Sequence, residues 1–163
     1  MTVLVIGYGN PLRSDDGIGW HVAGRLATDP RLEGATILQR HQLTPELALD
    51  VSHADLVVLV DARSGPPPGT VATEHVDPAA AQTSGTTWSH HLGPASLVAL
   101  ARELYGRSGD VHVVSIGVGS LELGETLSPA VAAAVEPAAD AVVGLVEARP
   151  TPGSPSAAGV AGA

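Results

Sequence analysis

Leu56-Val57-Val58-Leu59-Val60 is the most hydrophobic run of the chain, and it ends directly at Asp61. Five consecutive aliphatic residues, with no polar residue between them, are typical of a strand that is buried on both faces. Such strands lie in the middle of parallel sheets, where helices cover each face. The run therefore predicts the central strand of an α/β protein.

Shorter apolar runs on both sides of this strand predict further strands, with helical patterns between them. The predicted strands are residues 3–6, 35–38 and 111–116, with 70–76 as an edge strand. Helices are predicted near Ser14-Asp15-Asp16, after Thr44-Pro45, along the stripe Leu97, Leu100, Ala101 and Leu104, and from Ser128-Pro129 with a bend at Pro137. Strands that alternate with helices predict a three-layer α/β/α sandwich on a mostly parallel sheet.

Length and composition predict one domain. The chain has 163 residues, of which 44% are hydrophobic, and it contains no Phe, so Val, Leu, Ile and Ala must fill the core. We expect a single α/β domain over residues 1–149. Residues 79–87 are small and polar and predict a mobile loop, and the Pro, Gly, Ser and Ala tail from 150 to 163 predicts disorder.

Charge and residue usage exclude several function classes. The formal net charge is −9 and all eight basic residues are Arg, so we expect neither nucleic-acid binding nor docking on an anionic membrane. The absence of Cys excludes disulfides, thiolate nucleophiles and Cys-ligated metal sites. No signal peptide precedes the first strand and no apolar run is expected to span a membrane, so a cytoplasmic protein is predicted.

Three polar clusters follow predicted strands or precede predicted helices. They are Gly7 to Asp16, Asp61, and the pair His90-His91. Ligands of open α/β sheets bind beyond the carboxyl ends of the strands, where we expect these clusters to meet. Acidic residues in a first helical turn are ordinary, because the helix dipole stabilises them. Asp61 is harder to explain structurally, because an unpaired charge beside a buried strand is costly.

The chemistry of these clusters suits a borderline divalent metal ion. Two carboxylates with one imidazole make a mixed oxygen and nitrogen ligand set of the kind that nickel or zinc accepts. One of the two histidines is expected to be structural. The remaining histidines, His21, His41, His53, His75 and His112, have no comparable neighbours in sequence, and we predict ordinary surface or core positions for them.

Better-known site motifs do not fit. Gly7-Tyr8-Gly9-Asn10 after a strand suggests a dinucleotide fingerprint, but Leu12 stands where the third glycine is needed. The second strand ends in Gln39-Arg40 and lacks the acidic residue that binds ribose. The sequence also has no His-Glu-x-x-His, Gly-x-Ser-x-Gly or Gly-x-x-x-x-Gly-Lys motif.

The order of the clusters resembles the hydrogenase maturation proteases. The segment from Gly7 to Gly19 is similar to the opening of that family, with Gly-x-Gly-Asn and an acidic pair before a glycine. Asp61-Ala62 resembles its central-strand Asp, and His90-His91-Leu92-Gly93 resembles its His-x-Leu-Gly segment. The similarity continues through the last strand and helix and covers about residues 3–147.

The resemblance implies a five-stranded twisted sheet and a metal site made by Asp16, Asp61 and His90. It implies an endopeptidase that removes a C-terminal peptide from the precursor of the nickel-iron hydrogenase large subunit after nickel insertion. We expect the nickel to be presented by the substrate, with another divalent ion as an acceptable replacement and no organic cofactor. The same three residues would be the catalytic residues.

Two features depart from the family pattern, and two other functions remain as alternatives. Asp16 stands where Glu is common, and Arg40-His41-Gln42-Leu43-Thr44 replaces a Gly-Gly-Thr-type segment. The alternatives are a non-enzymatic nucleotide-binding module, and a chaperone that binds the hydrogenase subunit without cutting it.

Overall fold

A computed structural model describes residues 1–77, 79 and 92–149. Its centre is one five-stranded sheet in the order β2-β1-β3-β5-β4. The strands are β1 (Val3–Tyr8), β2 (Thr36–Arg40), β3 (Leu56–Arg63), β4 (Val71–His75) and β5 (Asp110–Gly117). The first three and β5 run parallel, whereas β4 is antiparallel to β5 at one edge. The predicted α/β class, the mostly parallel sheet and the edge position of β4 are confirmed.

The most hydrophobic run forms the middle of the sheet, as predicted. Val57, Val58, Leu59 and Val60 have no exposed surface, and β3 lies between β1 and β5. The strand continues three residues beyond the apolar run, to Arg63, because β5 still supplies backbone partners there. Similarly, β1 continues through Gly7 and Tyr8, where an end at Gly7 was expected.

Helices cover both faces of the sheet. They are α1 (Ile18–Leu26), α2 (Leu47–His53), α3 (Pro94–Tyr105), α4 (Pro129–Ala132) and α5 (Val135–Glu147), with two short 3₁₀ helices at Ser14–Gly17 and Pro30–Leu32. One face packs on α1 and α5 through residues such as Val22 and Val142. The opposite face packs on α2 and α3 through residues such as Val51 and Leu97. The three layers are therefore α, β and α.

Two helix predictions need correction. The helix expected at Ser14 begins as a 3₁₀ turn and becomes α-helical only at Ile18. The last helix is divided at residues 133–134, ahead of the bend expected at Pro137. Pro137 lies in the first turn of α5, where its missing N–H has no intrahelical partner to lose.

The prediction of no apolar run of membrane-spanning length needs correction for the segment Pro129–Glu147. The segment has 19 residues and a mean hydropathy of 1.5, so by length and composition alone it could cross a membrane. The sequence was expected to contain no such run. In the structure, Val131, Ala138 and Val142 of this segment are buried in the core, which is also what makes an ordinary core helix apolar.

Two sequence predictions lie outside the described residues. The mobile loop expected at 79–87 falls there except for residue 79, and so does the disordered tail expected at 150–163. The described part of the proposed 1–149 domain has one sheet with a core on each of its faces.

Candidate active site

The turn after β1 brings the backbone of the 3₁₀ helix and of α1 against the sheet. A Cβ atom on Gly7 would lie 2.0 Å from the carbonyl oxygen of Gly19, and one on Gly9 would lie 2.0 Å from that of Asp16. Gly9 also has a φ of +142°, which side chains disfavour. Close packing against protein backbone therefore explains why both residues are glycine, and a bound phosphate is not needed to explain them.

Asp15 of the predicted acidic pair is structural. It is fully buried, and its carboxylate accepts hydrogen bonds from the backbone N–H groups of Gly119, Ser120 and Ser128 and from Oγ of Ser128, at 2.7–2.9 Å. Burial alone would raise the pKa of Asp15, but these hydrogen bonds outweigh it and hold the pKa below its ordinary value. Asp15 therefore ties the 3₁₀ helix to the loop between β5 and α4.

Asp16, the next residue, faces the carboxyl edge of the sheet. Its Oδ2 accepts a hydrogen bond of 2.9 Å from the backbone N–H of Asn10, and no described residue donates to its Oδ1. The neighbouring Asn10 closes the same turn, since its Oδ1 accepts from the N–H of Leu12 at 2.9 Å. The turn therefore fixes the position of Asp16 and leaves one carboxylate oxygen available.

Asp61 lies at the same edge, next to the end of β1. Gly7 is paired with Val60, so Tyr8 and Asp61 are adjacent on the neighbouring strands. The phenol of Tyr8 donates a hydrogen bond of 2.8 Å to Oδ2 of Asp61. Because the phenol occupies that oxygen, a metal ion or water could be held at Oδ1.

Burial and a neighbouring charge perturb the Asp61 carboxyl. Burial raises its pKa, the charge of Asp16 adds to the increase, and hydrogen bonds from Tyr8 and the N–H of Ala62 oppose it, leaving the pKa at about 6. The pKa of Tyr8 is raised well above its usual range, chiefly by burial and then by the charge of Asp61. Tyr8 therefore stays protonated and remains a hydrogen-bond donor.

Asp16 and Asp61 line one cavity of about 320 Å³. Its wall also contains Tyr8, Gly9, Arg13, His41, Gln42, Leu43 and Leu92. On its other side Asp61 contributes to a second cavity of about 340 Å³, bounded by the edge of the sheet and the start of α3. Asp61 thus lies between two concave surfaces, an arrangement that suits an extended ligand passing over the carboxylate.

The third predicted ligand, His90, lies outside the described residues. The structure therefore brings together two of the three predicted site residues, Asp16 and Asp61, and gives no position for His90. Leu92, two residues later in the sequence, lines the cavity that contains both carboxylates. The two carboxylates fit a divalent cation, because a cation would offset both the cost of burying the Asp61 charge, which chiefly raises its pKa, and the smaller repulsion from Asp16.

Three residues of this cavity received no role from the sequence: Tyr8 and Arg13, within the predicted Gly7 to Asp16 cluster, and His41. His41 was assigned an ordinary position, yet it follows the carboxyl end of β2 and its ring lies 5.1 Å from that of Trp20, centroid to centroid. Tyr8 and His41 could have been found by applying the edge rule to every strand, since each lies at or just beyond the end of a parallel strand.

Solved structures share this fold and its topology over nearly the whole chain. The hydrogenase maturating endopeptidase HybD from E. coli superimposes with a TM-score of 0.76 and 27% sequence identity, covering 90% of this chain and 93% of that one. The [NiFe] hydrogenase maturation protease HybD from Thermococcus kodakarensis gives 0.68 and 25%, covering 89% and 99%. HycI from Thermococcus kodakarensis KOD1 gives 0.71 and 25%, covering 90% and 92%.

In fold and in motifs the chain is similar to the hydrogenase maturation proteases. No family model and no curated protein sequence matches it, so the relationship is carried by the structure and by the motifs. The protein is accordingly an endopeptidase, and the resemblance noted from the sequence is confirmed. Asp16 and Asp61 line one cavity at the carboxyl edge of the sheet, and their role as site residues stays a prediction.

Proposed function

We propose that this protease removes a C-terminal peptide from the precursor of a nickel-iron hydrogenase large subunit after nickel has been inserted. The observation that carries the proposal is the shared cavity of Asp16 and Asp61 at the carboxyl edge of the sheet. The solved neighbours named as hydrogenase maturation proteases support the substrate class. The cytoplasm is the proposed place of cleavage.

In this proposal nickel enters as part of the substrate. Asp16 and Asp61 each have a carboxylate oxygen that no described side chain occupies, and His90 would supply the third ligand. Such a set of two oxygens and one nitrogen, without Cys, suits transient binding of a borderline ion better than permanent retention. Cleavage would then depend on nickel being present in the precursor.

The chain's own residues position the reacting groups. Tyr8 holds Oδ2 of Asp61 by a hydrogen bond, and the N–H of Asn10 holds Oδ2 of Asp16. The bound ion would polarise the scissile carbonyl or acidify a water molecule. One of the two carboxylates would accept a proton from the attacking water.

The two cavities beside Asp61 offer a path for the peptide. One contains Tyr8, Arg13 and His41, and the other contains Arg63, Glu74 and Ser115. A scissile bond placed over Asp61 would leave chain on both sides of it. Positively charged Arg13 and Arg63 would then lie on opposite sides of the cleavage point.

The deciding experiment measures the mass of a nickel-loaded large-subunit precursor before and after incubation with the protease. We expect loss of a C-terminal peptide with the native protein, and loss of cleavage with Asp16→Asn, Asp61→Asn or His90→Ala. Asp50→Asn, an exposed residue of α2, is the matched control and should cleave normally. A nickel-free precursor should remain uncut.

The same experiment separates the alternatives. Binding of the precursor without any change in its mass would favour a chaperone over a protease. Binding of NAD, FAD or ATP in a parallel titration would favour a nucleotide-binding module, which the packing at Gly7 and Gly9 argues against. Undiminished cleavage by Asp61→Asn would remove this residue from the mechanism.

A further inference from the structure

Two histidines face each other across the antiparallel edge of the sheet. His75, the last residue of β4, is paired with His112 of β5. The N–H of Val76 bonds to the carbonyl of Val111 at 2.8 Å, which makes His75 and His112 a non-hydrogen-bonded pair. Side chains of such pairs lie closest together, and the two ring centroids are 5.0 Å apart.

Asp110 completes a cluster on the same face. It lies two residues before His112, so strand alternation places both side chains on one side of β5. Nε2 of His75 lies 2.7 Å from Oδ1 of Asp110, and Nε2 of His112 lies 3.1 Å from its Oδ2. One nitrogen from each imidazole and one carboxylate oxygen all fall within 4.8 Å of one another.

This cluster lies outside the cavity that contains both Asp16 and Asp61, although His75 also lines the second cavity beside Asp61. Asp61 is paired with Ser115, five residues further along β5 than Asp110, which corresponds to roughly 16 Å along the strand. Asp110 and His112 lie on the same face of β5 as Val114 and Ile116, which pack in the core formed with α1 and α5. Tyr8 packs against the core on the opposite face of the sheet.

The spacing of the three groups is close to that of a metal site. Ligand atoms about 2.0–2.1 Å from a tetrahedral ion lie about 3.3 Å from each other. The two Nε2-to-oxygen distances, 2.7 and 3.1 Å, need only small adjustments to reach that value. The side chain of His75 is 60% exposed and can make the movement, whereas that of His112 is 19% exposed and fixed within the fold.

We infer that His75, Asp110 and His112 form a second, independent site for a divalent cation of the zinc or nickel type. Two imidazoles and one carboxylate are a ligand set that such ions accept, with the fourth position left to water. The negative net charge of the chain, −9, favours the approach of a cation. This site is additional to the proposed cleavage function and does not depend on it.

Arg149, just after α5, contacts Oδ2 of Asp110 and shapes the site. Its positive charge helps to keep the carboxylate ionised, which ligation requires, but it also opposes an incoming cation. The ion would therefore bind on the side of Oδ1, which faces the exposed His75. Without an ion the three groups form a hydrogen-bonded network, and this is the competing explanation that an experiment must exclude.

The test is calorimetric titration of the full chain with Zn²⁺ in an Asp16→Asn/Asp61→Asn background, which separates this site from the proposed active site. We expect one bound ion, with affinity reduced at least tenfold by His75→Gln and by His112→Gln. His53→Gln, which changes an exposed histidine of α2, is the matched control and should leave the affinity unchanged. Visible absorption of Co²⁺ at the site gives a second readout with the same expected pattern.

Two results would overturn the inference. One is the absence of Zn²⁺ binding in the background variant, and the other is binding that survives both His75→Gln and His112→Gln. Since His75 is exposed at the sheet edge, its substitution leaves the fold intact even if that of His112 does not. Failure of the native protein to cleave the precursor, with Zn²⁺ binding that still depends on His75 and His112, would contradict the proposed function alone.

Discussion

The phenol of Tyr8 and the carboxylate of Asp61 form a hydrogen bond of 2.8 Å between neighbouring strands at the carboxyl edge of the sheet. The bond fixes one oxygen of a carboxylate that burial makes costly to ionise. It therefore orients Asp61 while leaving its other oxygen toward the cavity. Tyr8 is best regarded as a positioning residue for the proposed chemistry.

Replacing Tyr8 with Phe should raise the pKa of Asp61, because the hydrogen bond that lowers it is lost. We expect precursor cleavage to slow by roughly 10–100-fold, the effect typical of removing a group that orients a ligand. Carbon NMR of the Asp61 carboxyl measures the pKa directly. Tyr105→Phe, at an exposed position, is the control, and an unchanged Asp61 pKa in Tyr8→Phe would refute the positioning role.

Asp61→Asn should stabilise the metal-free protein at neutral pH. The pKa of Asp61 is 3.8 ordinarily and about 6 in the fold. Between these two pH values Asp61 is protonated in the folded protein and ionised in the unfolded chain, so the stability of the fold falls as pH rises. The accumulated cost at pH 7 is on the order of 3 kcal/mol. Urea unfolding should show the variant more stable at pH 7 and equal to the native protein below pH 4; equal stability at both pH values would contradict the raised pKa.

Asp15→Ala should destabilise the fold by about 3 kcal/mol, because four hydrogen bonds to a fully buried carboxylate are lost together. Since the pKa of Asp15 is lowered in the fold, its contribution is present above its unfolded pKa and is lost as pH falls through the folded value. Urea unfolding at neutral pH checks the magnitude. Asp50→Ala should change stability little, and a similar loss in both variants would argue against the specific role of Asp15.

Gly9→Ala should destabilise the fold by more than the unfavourable φ of Gly9 alone would. The added Cβ would meet the carbonyl of Asp16 at 2.0 Å, so the turn must move and Asp16 with it. We expect a loss above about 2 kcal/mol together with loss of cleavage. Gly34→Ala has a similarly unfavourable φ of +86° but open space around the new atom, and it should cost only about 1 kcal/mol. Equal losses in the two variants would show that the overlap at Gly9 is unimportant.

The sequence by itself determined the fold class and the positions of two acidic residues at the edge of the sheet. An uninterrupted aliphatic run can be buried only in the middle of a covered sheet, so Leu56 to Val60 predicted β3, and Asp61 followed at its carboxyl end. The glycine turn and acidic pair likewise predicted where Asp16 would lie. These inferences succeeded because they depend on local hydrophobic pattern and on the general geometry of parallel sheets.

The resemblance implied Asp16 as the site residue, but only the tertiary structure decided how Asp15 is held away from the cavity and which residues join Asp16 there. Asp15 and Asp16 are equivalent in local sequence, but the loop after β5, more than a hundred residues later, supplies the donors that bury Asp15. The pairing of Tyr8 with Asp61, and of His75 with His112, depends on strand order and register. Register is set by contacts between distant segments, so no local pattern of residues could have revealed these neighbours.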